Sequence, residues 1–256
     1  MCETPGVLTA EQHERIARVQ SASGRTLAFL ASRFRCGGYT NLARHYISSG
    51  RVGRIYRAEL VYHSNSIPTA ESSERNGLDR KTTYLFDQVF DLLNWPRIQT
   101  VCAYSVPGAG HGHSEAQGFN EHQISLTRLA GDVAMSIDMT STNHCRPRHT
   151  ITILGDKGGL LLDHSSGGRG FCFMEEAPGM RAKLIESIMH MKLEPWGSVY
   201  RSFREHLQGE CPHPGATIDH IFQLAQWRKS MRESVEQDRE VSLQPASVGC
   251  RLSISA

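Results

Sequence analysis

A succession of short runs in which apolar and polar residues alternate constrains the fold of this chain more than any other feature. The first run extends from Ile55 to Tyr62, with Arg57, Glu59 and Val61 on its second face. Alternation of this kind is the period of a β-strand with one buried face. Clusters of Gly, Pro, Asn and Asp separate it from further runs at 99–106, 123–129, 133–140, 150–154 and 160–163. The pattern predicts a meander of antiparallel strands.

Helical periodicity flanks these strands on both sides. Thr9 is placed to cap a first helix that ends at Ser23-Gly24, and Leu42 to Ile47 lie in a second that stops at Gly50. Further predicted segments are a buried strand at 26–30 that runs into 32–34, a surface loop from Ser64 to Arg80, an apolar helix at 84–95 halted by Pro96, helices at 198–207 and 216–237, and an edge strand at 240–243. The apolar stripe from Ile218 to Trp227 predicts core packing.

The predicted fold class is α+β, an open and mostly antiparallel sheet with helices packed on one face.

Composition excludes several classes of protein. The 28 basic and 26 acidic residues are interspersed, so nucleic acid is not an expected partner. Seven cysteines show neither pairing nor a zinc-ribbon spacing, which is typical of reduced thiols inside cells. The sequence shows no apolar run of about 20 residues and no basic, apolar leader. We therefore expect a cytoplasmic protein without a membrane partner.

Five local segments, in this order, resemble those of one known family. They are Glu3-Thr4-Pro5, Ser32-Arg33-Phe34, the segment from Ser49 to Ile55, the segment from Ile151 to Leu160, and Arg239-Glu240-Val241. The family is that of the Gfo/Idh/MocA oxidoreductases, and the similar region is its C-terminal substrate domain. The resemblance implies one substrate domain over 1–244, with crossover helices and a first strand over 1–50, the sheet and closing helices over 53–244, and a tail at 245–256.

The same resemblance shows which family features are changed here. Thr4 stands where the family has the lysine of Glu-Lys-Pro, and Gln88 stands where the family has the histidine of Gly-x-His-x-x-Asp, with Asp91 at the aspartate. An amide does not exchange a proton near neutral pH as an imidazole does, and threonine supplies no positive charge. Nothing in the chain resembles the Gly-x-Gly-x-x-Gly turn that seats a dinucleotide, since 108–112 and 155–159 are typical of hairpin turns. No cofactor is expected for this chain alone, and NAD(P) only with a Rossmann partner or upstream domain.

The candidate catalytic residues are Asp91, Gln88 and Tyr84, and the candidate substrate-binding residues are Arg33 and Thr4. Gln88 and Asp91 are three apart and share a helical face. Three of them have a structural alternative: Asp91 as a hydrogen-bond acceptor, Arg33 in an ion pair, and Tyr84 in the core with its hydroxyl at the rim. Asp87 is expected to be solvated near the start of the helix.

Other chemistry-bearing residues are interpreted as structural. His111, His113 and His122 lack a carboxylate or cysteine at ligand spacing, so no metal is predicted. His144-Cys145 lacks a nucleophile turn. Lys157 lacks the spacing of a P-loop and is predicted to be a turn residue.

Three functions follow as hypotheses, with enzymatic activity left open. The first is a small-molecule-binding protein of biosynthesis that, if catalytic, performs dehydration, isomerisation or cyclisation without redox. The second is the substrate-domain half of a split or truncated NAD(P)-dependent oxidoreductase. The third is a regulatory or scaffold subunit; a homo-oligomer formed through the sheet, or a complex with a nucleotide-binding subunit, is the expected assembly.

Overall fold

A computed structural model describes residues 1–2, 9–64, 77–106, 122–140, 145–165, 170–178, 180–189, 195–210 and 215–243. For residues 32–33, 77–81, 177, 180–181, 189 and 195–196 it describes the backbone only. Thr4 and the tail at 245–256 lie outside these ranges.

Helices and strands alternate in blocks along the chain. The helices are α1 (Ala10–Ser23), a 3₁₀ turn (Leu30–Arg33), α2 (Gly38–Ser48), α3 (Gly77–Leu92), α4 (Pro195–Leu207) and α5 (Ile218–Gln237). The strands are β1 (Ile55–His63), β2 (Ile98–Val106), β3 (His122–Leu129), β4 (Val133–Thr140), β5 (Arg148–Gly155), β6 (Gly158–Asp163), β7 (Gly170–Ala177), β8 (Met180–Met189) and β9 (Val241–Ser242).

The nine described strands form one open sheet in the order β8-β7-β6-β5-β1-β4-β3-β2-β9. β1 lies at its centre, parallel to β4, with Ala58 opposite Met135, and antiparallel to β5, with Ala58 opposite Ile153. Every other pair among the described strands is antiparallel. The predicted α+β class and the mostly antiparallel sheet are confirmed; the parallel pair is an addition to the predicted meander.

Helices cover one face of this sheet. Leu60 and Ile137 point into the core and are 1% exposed, and Trp227 of α5 packs edge-on against Phe86 of α3 at 4.7 Å between ring centroids. On the other face Tyr104 is 65% exposed and Leu126 is 59% exposed. The period-two alternation therefore separates a helix-covered face from an open face, as the sequence predicts.

Thr9 begins α1 as predicted. Its hydroxyl accepts a hydrogen bond from the backbone N–H of Gln12, and the Gln12 side chain accepts one from the backbone N–H of Thr9. The helix ends at Gly24, whose φ of 62° lies in the left-handed region.

The strand predicted at 26–30 is wrong. Phe29 makes isolated bridges to Cys2 and Ala216, and the chain then turns into the 3₁₀ segment. Phe29, Ala31 and Ala216 are buried together. The apolar run therefore correctly indicated burial, but a short apolar run does not distinguish a strand from a helical turn.

The bounds of the third helix also differ from the prediction. α3 begins at Gly77, inside the predicted surface loop, and ends at Leu92 instead of Trp95. Asn94 and Trp95 have φ values of 59° and 52° ahead of Pro96, whose ring disfavours helical backbone in the preceding residue. Strands β7 and β8 were not predicted; β8 offers a weak signal because its central residues are mostly exposed.

None of the helices in the described part of the chain is long and apolar enough to cross a membrane.

Candidate functional site

Two adjacent polar residues of α3, Asp87 and Gln88, are completely buried. Consecutive helical residues point about 100° apart, so the two side chains enter different surroundings. Asp87 joins a network of charges, and Gln88 joins a network of neutral groups.

Gln88 lies in a chain of three hydrogen bonds. Its Nε2 donates to Oγ1 of Thr40 at 2.7 Å, and the Thr40 hydroxyl donates to the carbonyl oxygen of Phe34 at 2.6 Å. Its Oε1 lies 2.9 Å from Nε2 of His164. Because the Thr40 proton is used on Phe34, Thr40 accepts from the amide, Gln88 Oε1 accepts from His164, and His164 therefore carries a proton on Nε2.

Aromatic rings enclose these polar groups. The His164 ring stacks on Phe34 at 4.8 Å between centroids, and Tyr84 meets Phe34 edge-on at 6.2 Å. Tyr39 lies 6.3 Å from His164 and is fully buried, whereas His164 itself is only partly buried. We call the set the amide–imidazole cluster; it consists of Phe34, Tyr39, Thr40, Tyr84, Gln88 and His164.

Backbone hydrogen bonds place His164 at one end of the central strands. His164 directly follows β6, and its backbone N–H donates to the carbonyl of His149 at 2.7 Å. The His149 N–H donates to Oγ of Ser165 at 2.9 Å, and the His149 ring stacks on Tyr62 at 4.4 Å. His164 thus lies where β1 ends, β5 begins and β6 ends.

The charged network begins at Arg35. Its guanidinium donates to both carboxylate oxygens of Asp87, at 2.5 and 3.0 Å, and to the carbonyl of Gly215 at 3.1 Å. Asp91 lies 3.3 Å from Arg35 and 2.7 Å from Arg44. We call Arg35, Arg44, Asp87 and Asp91 the arginine–aspartate network.

Burial and charge oppose each other within this network. Burial raises the pKa of Asp87, and the positive charge of Arg35 offsets part of that rise. Burial lowers the pKa of Arg35, but the carboxylates of Asp87 and Asp91 outweigh it, so this pKa is raised. Arg35 is therefore a permanent buried cation held by carboxylates. The expectation that Asp87 is solvated is wrong, because the face of α3 that carries Asp87 packs on the 3₁₀ turn and not on solvent.

The structure brings some of the predicted site residues together and separates others. Gln88 and Tyr84 belong to the amide–imidazole cluster, whereas Asp91 belongs to the arginine–aspartate network. The backbone of Arg33 closes the 3₁₀ turn, and its side chain is outside the description. Thr4 likewise lies outside the described residues.

One member of the cluster was missed by sequence reasoning. His164 follows the apolar strand residues Leu160 and Leu162 without any motif around it. It meets Gln88 across 76 positions of sequence. Only the pairing of β5 with β6 places it there, and no spacing rule carries that information.

The other candidates are described only in part. Asp138 lies 3.0 Å from both His63 and His122, yet the described residues contain no set of three or more side chains that could hold a metal. Cys145 is exposed. Lys157 lies in the turn between β5 and β6, as predicted. His111, His113, His144 and the glycines of 108–112 are outside the described residues.

A close backbone approach at one position and a left-handed conformation at another account for two glycines of the family-like segments. A Cβ on Gly155 would lie 2.0 Å from the carbonyl oxygen of Val52, and Gly53 has a φ of 76°. The Arg54 N–H donates to Oδ1 of Asp156 at 2.8 Å. These contacts hold the β5–β6 hairpin against the exit of α2.

Solved structures share this architecture over nearly the whole chain. An inositol dehydrogenase homologue from Azotobacter vinelandii, complexed with NADH and myo-inositol, has a TM-score of 0.74 at 16% identity, covering 94% of this chain and 71% of that one. An oxidoreductase domain protein from Kribbella flavida has a TM-score of 0.72 at 17% identity, covering 95% and 74%. The chain has the fold of the Gfo/Idh/MocA oxidoreductases. The WlbA dehydrogenase from Bordetella pertussis, complexed with NADH and UDP-GlcNAcA, shares this Gfo/Idh/MocA-like fold with a TM-score of 0.65 at 19% identity, covering 92% and 69%.

Sequence similarity adds less than structure. No protein-family model matches the chain. The imidazoleglycerol-phosphate dehydratase of Deinococcus radiodurans is 27% identical over 139 residues, which cover 48% of this chain and 68% of that protein. At identities of 16% to 19%, the similarity to the solved structures named above establishes a common fold and nothing further.

Proposed function

We propose that the protein binds a small oxygenated metabolite at the amide–imidazole cluster and acts in biosynthesis without redox chemistry. If it is catalytic, the reaction class is dehydration, isomerisation or cyclisation. Tyr84, Gln88 and Asp91 are the proposed catalytic positions, and Arg33 and Thr4 are the proposed substrate-binding positions.

One observation carries the proposal: the side-chain amide of Gln88 is buried, and its nitrogen and its oxygen both form hydrogen bonds with other side chains. Gln88 is 0% exposed and bonds Thr40 on one side and His164 on the other. An amide in this state orients its neighbours and takes no proton. Such an arrangement favours positioning and proton transfer by a neighbour over oxidation of a carbinol.

The described contacts rank the proposed residues. Tyr84 is 7% exposed and stands beside the ring that stacks on His164, so its phenol suits contact with a bound molecule. Asp91 has an arginine on each carboxylate oxygen. Because both oxygens are already paired, it ranks below the cluster.

Two similarities support the choice of ligand and reaction. Myo-inositol is a ligand of the Azotobacter neighbour, and polyhydroxylated molecules are for that reason the class to test first. The partial likeness to a dehydratase agrees with dehydration as a reaction class. Both are arguments by analogy, since a fold hosts many functions.

The test is a calorimetric titration of the purified protein with myo-inositol, alongside mass spectrometry of any molecule that co-purifies. The expected result is saturable binding that Gln88→Ala weakens at least tenfold, while the control His45→Gln, at an exposed position of α2, leaves it unchanged. NAD(H) and NADP(H) should bind at about millimolar affinity or weaker, as for a protein without a pyrophosphate site. Equal binding by wild type and Gln88→Ala contradicts the proposed site.

The second candidate function is the substrate half of an NAD(P)-dependent oxidoreductase. It is favoured by two neighbours complexed with NADH, and this chain covers only 69% to 71% of those proteins. Reduction of a ketone by the purified chain with added NADH or NADPH would establish autonomous redox activity and end the non-redox proposal. Activity only after a nucleotide-binding subunit is added would establish the split enzyme.

The open sheet face supports the third candidate, a homo-oligomeric scaffold. Tyr104 and Ile124 lie opposite each other on β2 and β3, and Leu126 is close by, all exposed. We propose that a second copy covers this face in the cytoplasm, where the free thiols of Cys36, Cys102 and Cys172 stay reduced. Light scattering should show a dimer that Leu126→Lys dissociates; a monomeric wild type contradicts it.

A further inference from the structure

We propose that pH controls the dimer formed through the open sheet face, because Asp138 on that face needs a protonated His122 beside it when a second copy covers it. The inference rests on the homo-oligomer proposed above and concerns the same surface. It gives a role to three residues that the proposed chemistry does not use, namely His63, His122 and Asp138. Assembly should be stronger below neutral pH than above it.

Asp138 lies between two histidines on the adjacent strands. Its Oδ1 lies 3.0 Å from Nε2 of His122 on β3, and its Oδ2 lies 3.0 Å from Nε2 of His63 on β1. The contact with His122 is a hydrogen bond. The side chains of His122 and Asp138 are 43% and 38% exposed, so water reaches both of them in the single chain. We call the three residues the histidine–aspartate cluster.

This cluster adjoins the apolar part of the open face. Asp138 lies directly opposite Ile124 in the β3–β4 pair, and Ile124 lies directly opposite Tyr104 in the β2–β3 pair. Side chains that are opposite each other in an antiparallel pair share a face and are about 5 Å apart. A surface that covers the exposed side chains of Tyr104 and Ile124 therefore covers Asp138 as well.

A second copy of the chain is the occupant that this face favours. Two copies related by a two-fold axis present the same patch to each other, so the exposed Tyr104, Ile124 and Leu126 of one copy can be covered by those of the other. Each copy then brings its own Asp138 into the interface. The unfavourable burial of a carboxylate occurs twice in the dimer, which makes assembly sensitive to whatever neutralises Asp138.

The charge of the cluster determines how unfavourable that burial is. With both histidines neutral, the cluster carries one negative charge, and removing an uncompensated carboxylate from water is strongly unfavourable. One proton on His122 converts the cluster into a neutral, hydrogen-bonded ion pair. Imidazole takes up such a proton between about pH 5 and 8. Covering the face therefore favours protonated His122, and by linkage protons favour the dimer.

The neighbouring charges favour His122 over His63 as the residue that takes up the proton. Arg148 lies opposite His63 in the β1–β5 pair and is exposed. Because arginine is a permanent cation, it disfavours a second positive charge at His63. The remaining charged side chains described on strands β1 to β4 are paired, Arg57 with Glu59 and Arg128 with Asp132.

The first test measures the dimer dissociation constant of the full chain by sedimentation equilibrium at pH 6, 7 and 8. With one linked proton per protomer, the constant should be at least about tenfold larger at pH 8 than at pH 6. Leu126→Lys should be monomeric throughout. A wild type that is monomeric at every pH, or a Leu126→Lys variant that still dimerises, overturns the proposed assembly and this inference with it. A wild-type dimer whose constant is independent of pH, or smaller at pH 8, overturns this inference alone.

The second test separates the carboxylate from the imidazole. Asp138→Asn removes the charge at nearly constant size, so at pH 8 it should dimerise about tenfold more tightly than the wild type. His122→Gln takes up no proton and should dimerise weakly, with a flat pH profile. His63→Gln and the control His45→Gln, at an exposed position of α2, should keep the wild-type profile.

The expected gain of affinity in Asp138→Asn cannot be imitated by a loss of folding. A wild-type pH profile in His122→Gln, a flat profile in His63→Gln, or dimerisation of Asp138→Asn no tighter than that of the wild type at pH 8 overturns the inference.

Discussion

Two buried polar networks share α3, and they differ in what holds them. The arginine–aspartate network is charged, with Asp87 0% and Arg35 7% exposed, and its partners neutralise one another. The amide–imidazole cluster is neutral and consists of single hydrogen bonds of 2.6 to 2.9 Å. The first cannot lose Arg35 or Asp87 without leaving a buried charge, while the second can lose a member and keep the fold. The difference suggests that the charged network maintains the structure and that the neutral cluster is free to serve a ligand.

The largest expected effect is that of Arg35→Met. It leaves Asp87 buried without its cation, so the free energy of unfolding should fall by roughly 3–5 kcal/mol. Urea denaturation measures this directly. The double variant Arg35→Met with Asp87→Leu removes both charges and should recover most of the loss. If the double variant loses as much unfolding free energy as the two single variants added together, Arg35 and Asp87 do not stabilise each other.

Gln88→Leu should cost less, about 1–3 kcal/mol, because it leaves the Nε2–H of His164 without its acceptor. The matched variant Gln88→Leu with His164→Phe removes both partners and should be close to wild type in urea. Thr40→Ser keeps the hydroxyl and serves as the control. A loss larger than that of Arg35→Met would reverse the comparison between the two networks.

Arg44→Gln tests the exposed end of the charged network. Arg44 is 45% exposed and Asp91 is 16% exposed, so water screens their ion pair. We expect a loss of only about 0.2–1 kcal/mol in the same experiment. A loss comparable to that of Arg35→Met would show that the exposed Arg44 stabilises the fold as strongly as the buried Arg35 does.

The smallest effect is expected at the ion pair of Arg51 and Glu175, 2.8 Å apart, whose side chains are 38% and 30% exposed. The hydrogen bond from Arg51 lowers the pKa of Glu175 below its usual range. A carboxyl with a lowered pKa stabilises the fold above its unfolded-state pKa and loses that contribution as the pH falls through the folded value. Glu175→Gln should therefore have a slightly lower thermal midpoint than wild type at pH 7, and the difference should shrink as the pH falls through the folded-state pKa of Glu175. A difference that does not change with pH would point to packing.

Sequence patterns predict the fold well and the site only in part. The alternation in β1 to β6 is a local property, and so is the capping of α1 by Thr9, and both are confirmed. Gln88 and Tyr84 could be found because they share one helix with a family-like spacing. Arg35 and His164 could not, because their contacts with α3 span 52 and 76 positions and depend on tertiary packing. The burial of Asp87 was missed for the same reason. A helical pattern shows which residues share a face of the helix, but it does not show that Arg35 will pack against that face.

The place of β1 has a consequence for how the chain acquires its structure. Strands β2 to β4 form one set of hairpins and β5 to β8 another, each from segments close in sequence. β1 pairs with the last strand of the first set and the first strand of the second, and its partner Met135 lies far along the chain from Ala58. Closing that long loop is slow compared with forming a hairpin. We expect two hairpin units to form early in refolding and β1 to pair with both of them in one later step. A variant that weakens only the pairing of β1 should slow that later step alone.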